Sequence, residues 1–175
     1  MNTKELIENF RRTELAGESS CGFLGPLGFM RISAKGNFIS EIAFSDSLCA
    51  GEPRGELAVA VLWLREYFAG NNPRWSVRIT EDGTEFQRKV WAEMDKIPYG
   101  KVLTYGAIKQ ELLRAFPGTG VSAQAVGGAV GSNRFAILRP CHRVIGANSA
   151  LTGYKWGLEK KRFLLDFEQS TAAWK

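Results

Sequence analysis

The chain has 175 residues, 45% of them hydrophobic and 23% charged, which is typical of a globular protein with one domain or two small ones. Three widely separated cysteines, one histidine and no CxxC motif exclude a disulfide framework and argue against a structural metal site. Free thiols indicate a reducing compartment, so we expect a cytoplasmic protein, and no stretch is long and apolar enough to span a membrane.

The two halves of the chain differ in charge. Residues 1–85 contain 9 Lys and Arg against 12 Asp and Glu, a net charge of −3, whereas residues 86–175 contain 14 against 6, a net charge of +8. A basic half of this kind favours contact with a polyanion such as nucleic acid. From charge alone, a merely solvated basic face is an equally good interpretation.

The acidic half is predicted to be a small α+β domain. Its pattern predicts helices over 1–15 and 56–69 and strands over 27–32, 38–44 and 75–79, of which the first two strands pair with each other. The glycine-rich segment before them favours turns. Cys21 and Cys49 have no base or metal ligand nearby in sequence, so we interpret them as core or incidental residues.

The basic half begins with a helix that Thr84 and Gln87 start as a capping box. A second helix is predicted over 105–114, with Thr104 as its N-cap and Ile108, Leu112 and Leu113 buried. A third is predicted over 123–130, with Ser122 as its N-cap. Two helices joined by a short connection within a basic domain are typical of a helix-turn-helix.

The third helix is made almost entirely of small residues. Gly127 and Gly128 are adjacent in its interior, and each costs roughly 1 kcal/mol of helix stability relative to alanine. A smooth face allows close approach to a nucleic-acid backbone or groove. Tight packing against the neighbouring helix explains the same pattern, and the sequence does not decide between them.

Cys141 and His142 form the candidate reactive pair within an otherwise apolar stretch. His142 is the only histidine of the chain, and Pro140 restricts the backbone beside them. The thiolate is the reactive form of cysteine, and a nearby base promotes it. In an extended backbone the two side chains point to opposite faces, so a bridging water or a local turn is needed to connect them. The alternative is a pair of ordinary buried core residues.

These residues resemble a known family, the O6-alkylguanine-DNA alkyltransferases, also called methylated-DNA–protein-cysteine methyltransferases. The resemblance runs from Phe86 to Glu168, and its motifs are Pro140–Val144, 97–102, 104–105, 125–129, Asn133, Tyr154 and 164–165. It implies two domains: residues 1–83 as a small N-terminal α/β, ribonuclease H-like domain, and residues 84–175 as a mostly helical winged helix-turn-helix domain that binds DNA and carries the catalytic site. The first of these resembles the family only in size and element order.

The resemblance implies direct reversal of DNA damage. A monomer flips O6-alkylguanine, and also O4-alkylthymine, out of double-stranded DNA and transfers the alkyl group irreversibly to Cys141, once per molecule and without cofactor or metal. His142 is implied as the base that acts through a water, Glu168 as the residue that orients it, and Asn133 as the brace of the adjoining turn. The residues implied in DNA or substrate binding are Tyr105, Gln124, Ala125, Gly127, Arg143, Val144, Tyr154, Lys155 and Trp156.

Two positions depart from the family pattern. Gln124 stands where the family usually inserts an arginine, and glutamine lacks the charge and planar reach of that side chain, so we expect weaker DNA affinity than in a Gln124→Arg variant. Trp156 stands where some relatives have a small residue, so we expect a narrower pocket that prefers methyl adducts to benzyl-sized ones.

Three other function classes remain open at this level. A non-enzymatic binder of alkylated bases would recruit other repair factors, but such relatives lack the acceptor cysteine that Cys141 supplies. A winged-helix transcription regulator fits the helix pair but not a glycine-rich recognition helix. A cysteine hydrolase would turn over and require an oxyanion hole.

Overall fold

A computed structural model describes residues 2–74, 76–118 and 120–172. The described residues up to Thr80 form one compact unit, and those from Glu81 onward form a second. Together they contain six α-helices, a three-stranded antiparallel sheet and a two-stranded parallel pair, so the mixed α+β class is confirmed. Of the helices described, none combines the length and the apolarity needed to cross a bilayer.

The first unit is an antiparallel meander with two helices. Its elements in chain order are α1 (Thr3–Arg11), β1 (Glu18–Gly25), β2 (Gly28–Lys35), β3 (Phe38–Phe44) and α2 (Gly55–Phe68). The sheet order is β1-β2-β3. The strands predicted over 27–32 and 38–44 correspond to β2 and β3, and their predicted pairing is confirmed.

Strand β1 was not predicted as a full strand, because its glycines favour turns in sequence. Cys21 and Phe23 alternate inward along it and are buried, as a half-buried strand requires. Gly22 lies where a Cβ atom would come within 2.5 Å of the carbonyl oxygen of Cys49. The glycine therefore allows the loop after β3 to approach the strand closely, rather than turning the chain.

The predicted strand over 75–79 is wrong for the part that is described. Trp75 lies outside the described residues, and of the others only Ile79 pairs, as a single parallel bridge with Ile39. The buried carboxylate of Glu56 accepts the Arg78 amide at 2.7 Å and the Arg11 guanidinium at 3.0 Å. Side chains thus bind this segment in place of a strand ladder.

The second unit is mostly helical. Its elements are α3 (Glu85–Asp95), β4 (Leu103–Thr104), α4 (Tyr105–Ala115), α5 (Ala123–Gly131), β5 (Val144–Ile145) and α6 (Leu158–Ala172). The three predicted N-caps are confirmed, since Thr84, Thr104 and Ser122 each accept a backbone amide at the start of their helices. Strands β4 and β5 pair in parallel.

Helix α4 differs from its prediction in one core residue. Ile108 and Leu112 are buried as predicted, but Leu113 is 36% exposed. One residue advances the helix by about 100°, so Leu113 turns away from the face that Leu112 shares with Ile108.

Helix α5 presents its glycine face to open space. Val126, Ala129 and Val130 are buried in the core of the unit. A Cβ atom added to Gly127 or Gly128 would meet no atom of another described residue within 4 Å. Packing against the neighbouring helix therefore does not explain these two glycines.

The backbone at Cys141 forms a local turn and is not extended. Cys141–Arg143 form a turn of 3-10 helix, in which the Arg143 amide donates to the Pro140 carbonyl at 3.0 Å. Ile137, four residues earlier, has a φ of 67°, a left-handed conformation that is rare for a β-branched residue. The local turn, one of the two connections that the adjacency of Cys141 and His142 required, is present.

The glycines of this unit predict opposite responses to alanine. Gly128→Ala adds a methyl group to open space and should raise the free energy of unfolding by roughly 0.5–1 kcal/mol through helix propensity. Gly100 has a φ of 73°, and its added Cβ would lie 2.9 Å from the Cβ of Ala172. Gly100→Ala should therefore destabilise by at least about 1 kcal/mol.

Urea denaturation of both variants against the wild type checks this pair. A destabilised Gly128→Ala protein would show that the glycine face of α5 is in fact packed.

Candidate active site

A cavity of about 120 Å³ opens beside Cys141, which is only 4% exposed. The start of α4, one face of α5 and the loop before α6 supply its walls. Its lining residues are Tyr105, Gly127, Val130, Gly131, Asn133, Cys141, Gly153, Tyr154 and Lys155. The candidate nucleophile thus faces a small cavity.

The carboxylate of Glu168, on α6, is the centre of a buried network behind the cysteine. It accepts hydrogen bonds from His142 Nε2 at 2.7 Å, from Arg143 Nε and Nη2 at 2.8 and 2.9 Å, and from the Gly100 amide at 2.9 Å. Burial acts to raise the pKa of Glu168, but the hydrogen bonds from His142 and Arg143 outweigh it and lower the pKa to about 2. The group is therefore ionised at neutral pH.

The partner of Glu168 determines the tautomer of His142. An ionised carboxylate can only accept, so Nε2 of His142 carries the proton and Nδ1 keeps its lone pair. Nδ1 is buried and has no hydrogen-bond partner among the described residues. Burial lowers the pKa of His142 and the hydrogen bond that it donates to Glu168 offsets this only in part, so the ring is neutral and Nδ1 is available as a base.

Asn133 holds the thiol of Cys141. Its Nδ2 lies 3.0 Å from Sγ and also within hydrogen-bond distance of the carbonyl oxygens of Phe135 and Arg139. Its Oδ1 accepts the Phe135 amide at 3.0 Å, so the side chain is fixed at both ends. Burial raises the pKa of Cys141, and the Asn133 hydrogen bond opposes it only partly, so the resting group is a thiol that needs a base.

Lys161 is a site residue that sequence reasoning missed. Its side chain is fully buried, and Nζ donates to the carbonyl oxygens of Val144 at 2.6 Å, Thr152 at 2.6 Å and Gly153 at 3.0 Å. Burial lowers the pKa of Lys161 to about 8, so it is mostly cationic at neutral pH. It ties β5 to the loop that lines the cavity. Its helical spacing of three and seven residues from Leu164 and Glu168 was the available signal.

The cavity brings together many of the residues predicted to bind substrate. Tyr105, Gly127, Tyr154 and Lys155 line it, and the hydroxyl of Tyr105 donates to the Gly153 carbonyl at 3.4 Å. The side-chain oxygen of Tyr154 is buried without a partner among the described residues.

Other predicted residues lie elsewhere. Gln124 and Ala125 are exposed on the first turn of α5, outside the cavity. The Arg143 guanidinium binds Glu168 and the Ile97 carbonyl. Trp156 does not line the cavity but packs edge-on against Tyr154, with ring centroids 5.3 Å apart. Any effect of Trp156 on the cavity is therefore indirect.

Comparison with known proteins identifies the family. Residues 85–170 match the family described as "6-O-methylguanine DNA methyltransferase, DNA binding domain". A methylated-DNA–protein-cysteine methyltransferase of Mycolicibacterium paratuberculosis is 37% identical, over 82% of this chain and 88% of its own length. One from Methanosarcina acetivorans is 47% identical over 61% of this chain and 65% of its own length. A crystal structure of Mycobacterium tuberculosis OGT in complex with DNA covers 86% of this chain and 92% of its own, with 36% identity and a TM-score of 0.73.

The chain belongs to the methylated-DNA–protein-cysteine methyltransferase family. This confirms the resemblance drawn from the sequence and the class of enzyme that it implied.

The network around Glu168 predicts the effect of removing its charge. Glu168→Gln leaves an amide that can donate to His142 as well as accept from it, so the histidine tautomer is no longer fixed. General-base catalysis is commonly worth about 100-fold or more, and we expect single-turnover methyl transfer to slow by about that factor with little change in DNA affinity. Rapid-quench kinetics at saturating methylated duplex checks the rate.

The same variant has a pH signature. The pKa of Glu168 is lowered from 4.5 to about 2 in the folded protein, so its stabilisation is fully present above pH 4.5 and is lost as the pH falls towards 2. That part of acid destabilisation should be absent in Glu168→Gln. An unchanged transfer rate in this variant would show that Glu168 does not orient the base.

Proposed function

We propose that this protein repairs DNA by direct reversal, with Sγ of Cys141 as the alkyl acceptor. The main support is the position of Sγ at the cavity, where it is hydrogen-bonded to Asn133. The next residue is a neutral histidine whose Nδ1 has no hydrogen-bond partner in the described part of the chain. In the proposed step, a bond forms between sulfur and the alkyl carbon while the bond between that carbon and O6 of guanine breaks. The thiol proton passes through a water to Nδ1 of His142, and guanine leaves with the electron pair on O6.

The product is a thioether, so each molecule acts once. A thioether lacks the electrophilic carbonyl that water attacks in a thioester, and the buried site supplies no second acceptor for the alkyl group. The same chemistry applies to O4-alkylthymine, the second proposed substrate. No cofactor takes part in this scheme.

The open face of α5 supports a DNA-docking role. Its glycines leave room for a nucleic-acid backbone, and exposed Gln124 and Ala125 begin the same helix. The net charge of +8 over residues 86–175 favours a polyanion. OGT of Mycobacterium tuberculosis, solved in complex with DNA, shares this fold. We propose that α5 is the recognition helix of a winged helix-turn-helix. The side chain of Gln124 then fills the space in the duplex that the flipped base leaves.

We also propose two domains: residues 84–175 form the alkyltransferase domain, and residues 1–83 form a ribonuclease H-like domain. The protein acts as a cytoplasmic monomer on double-stranded DNA that carries the lesion.

We propose that small adducts are preferred. Trp156 packs edge-on against Tyr154, with ring centroids 5.3 Å apart, and so supports this wall of the cavity. We therefore expect faster transfer from O6-methylguanine than from O6-benzylguanine in the same duplex.

A titration with excess lesion DNA tests the function and the adduct preference together. Repaired guanine should reach a plateau of one per protein molecule, with the methyl adduct repaired faster. More than one repair per molecule would refute single turnover, and equal rates would refute the size preference. Tight lesion binding with no repair would indicate the non-enzymatic binder instead.

A further inference from the structure

Arg139 is a buried cation two residues before Cys141, and the mechanism above does not use its side chain. The residue is 5% exposed. Its guanidinium lies over the rings of Trp91, at 4.7 Å, and Phe135, at 5.4 Å, and Nε donates to the Asp95 carboxylate at 3.3 Å. Nη1 is buried without a hydrogen-bond partner among the described residues. Burial of a charged guanidinium costs free energy unless its partners compensate for the lost water.

The backbone of Arg139 leads directly to the thiol. Its carbonyl oxygen accepts the Cys141 amide at 2.8 Å and Nδ2 of Asn133 at 3.0 Å. That same Nδ2 lies 3.0 Å from Sγ of Cys141. The position of one carbonyl therefore governs both the backbone of the nucleophile and the side chain that binds its sulfur.

Two arginines anchor the reactive turn to the same end of α3. Arg139 reaches Asp95, the last residue of the helix, and Arg143 donates to the carbonyl of Ile97 at 2.7 Å. Cations are favoured at a helix C-terminus, where carbonyl groups lack intrahelical partners. Cys141 lies between these two attachment points. Arg143 holds the side of this segment that faces Glu168. Arg139 holds the other side, where its carbonyl oxygen binds Asn133.

We infer that Arg139 is a positioning residue for alkyl transfer: its guanidinium, held by Asp95, Trp91 and Phe135, fixes the loop that sets the Asn133–Cys141 contact. The inference rests on the proposed role of Cys141 as acceptor. It assigns to Arg139 no contact with the substrate, because its side chain is buried behind the loop and does not line the cavity.

The variant Arg139→Met separates positioning from stability. Methionine retains an apolar stem between the two rings, and the carboxylate of Asp95, whose side chain is 46% exposed, stays hydrated when its partner is removed. A structural role alone therefore predicts little change in transfer. A positioning role predicts that transfer at saturating methylated duplex slows about tenfold, since small displacements of reacting groups have effects of this order. DNA affinity should stay within about twofold, because the side chain does not reach the surface.

A second readout follows the thiol itself. Iodoacetamide alkylates the thiolate of Cys141 without DNA, and peptide mass spectrometry follows the rate. Measured between about pH 6 and pH 10, roughly one pH unit apart, this rate reports the pKa of the thiol. The Asn133 hydrogen bond lowers that pKa against burial. In Arg139→Met the profile should therefore move to higher pH, while Cys49 serves as the internal reference.

The controls decide each outcome. Arg162→Met removes an exposed arginine of α6 and should leave the saturated rate and the thiol profile unchanged. Asp95→Asn keeps the shape of the partner and should slow transfer in the same direction; it decides the matter if Arg139→Met does not fold. Arg139→Lys keeps the charge without the planar stacking and should recover only part of the rate.

An unchanged rate and thiol profile in Arg139→Met or Asp95→Asn overturns the inference. If the wild type itself transfers no methyl group, the proposed function fails first, and the two failures are thereby distinct.

Discussion

The buried charge of Glu168 is the constraint on which the site depends. A carboxylate that is 1% exposed is tolerable only when its oxygens are paired, and donors from the 97–100 turn and from the Cys141–Arg143 turn pair it. Gly100 is required there, because its amide approaches Glu168 through a backbone conformation that other residues rarely adopt. Removal of one partner from such a buried pair typically costs about 3–5 kcal/mol. The buried carboxylate therefore joins the two turns and orients the ring of His142 at the same time.

The chemistry follows from how the charges are distributed around the thiol. Glu168 remains ionised, so the adjacent imidazole can stay neutral with its proton on Nε2, and the thiol can stay protonated until a substrate arrives. Lys161 and Glu168 lie on one face of α6 and hold the two opposite sides of the site: the cavity loop through backbone carbonyls, and the reactive turn through His142 and Arg143. A single helix thus positions both the turn that carries Cys141 and one wall of the cavity.

The sequence predicted those features that depend on local chemistry. The N-caps at Thr84, Thr104 and Ser122 and the pairing of β2 with β3 follow from short-range patterns, and they are confirmed. The family was recognisable because its motifs occur in order along half the chain. The failures depend on tertiary contacts. Where a strand was expected over 75–79, the amide of Arg78 donates to Glu56 instead. At Cys141 the sequence left a turn and an extended backbone open, and the turn that is present is held by the buried Arg143–Glu168 pair. Lys161 was overlooked because lysines on a helix are normally solvated. No local sequence pattern predicts that its ammonium group finds three carbonyl acceptors.

The most direct measurement is intact-protein and peptide mass spectrometry after incubation with a duplex that carries one O6-methylguanine. Cys141, Cys49 and Cys21 are all free thiols, so each is a possible acceptor and the peptides distinguish them. The account predicts one added methyl group per molecule, on Cys141, and none in the Cys141→Ala protein. Unmodified protein that still binds the lesion, or a methyl group on either other cysteine, would contradict it.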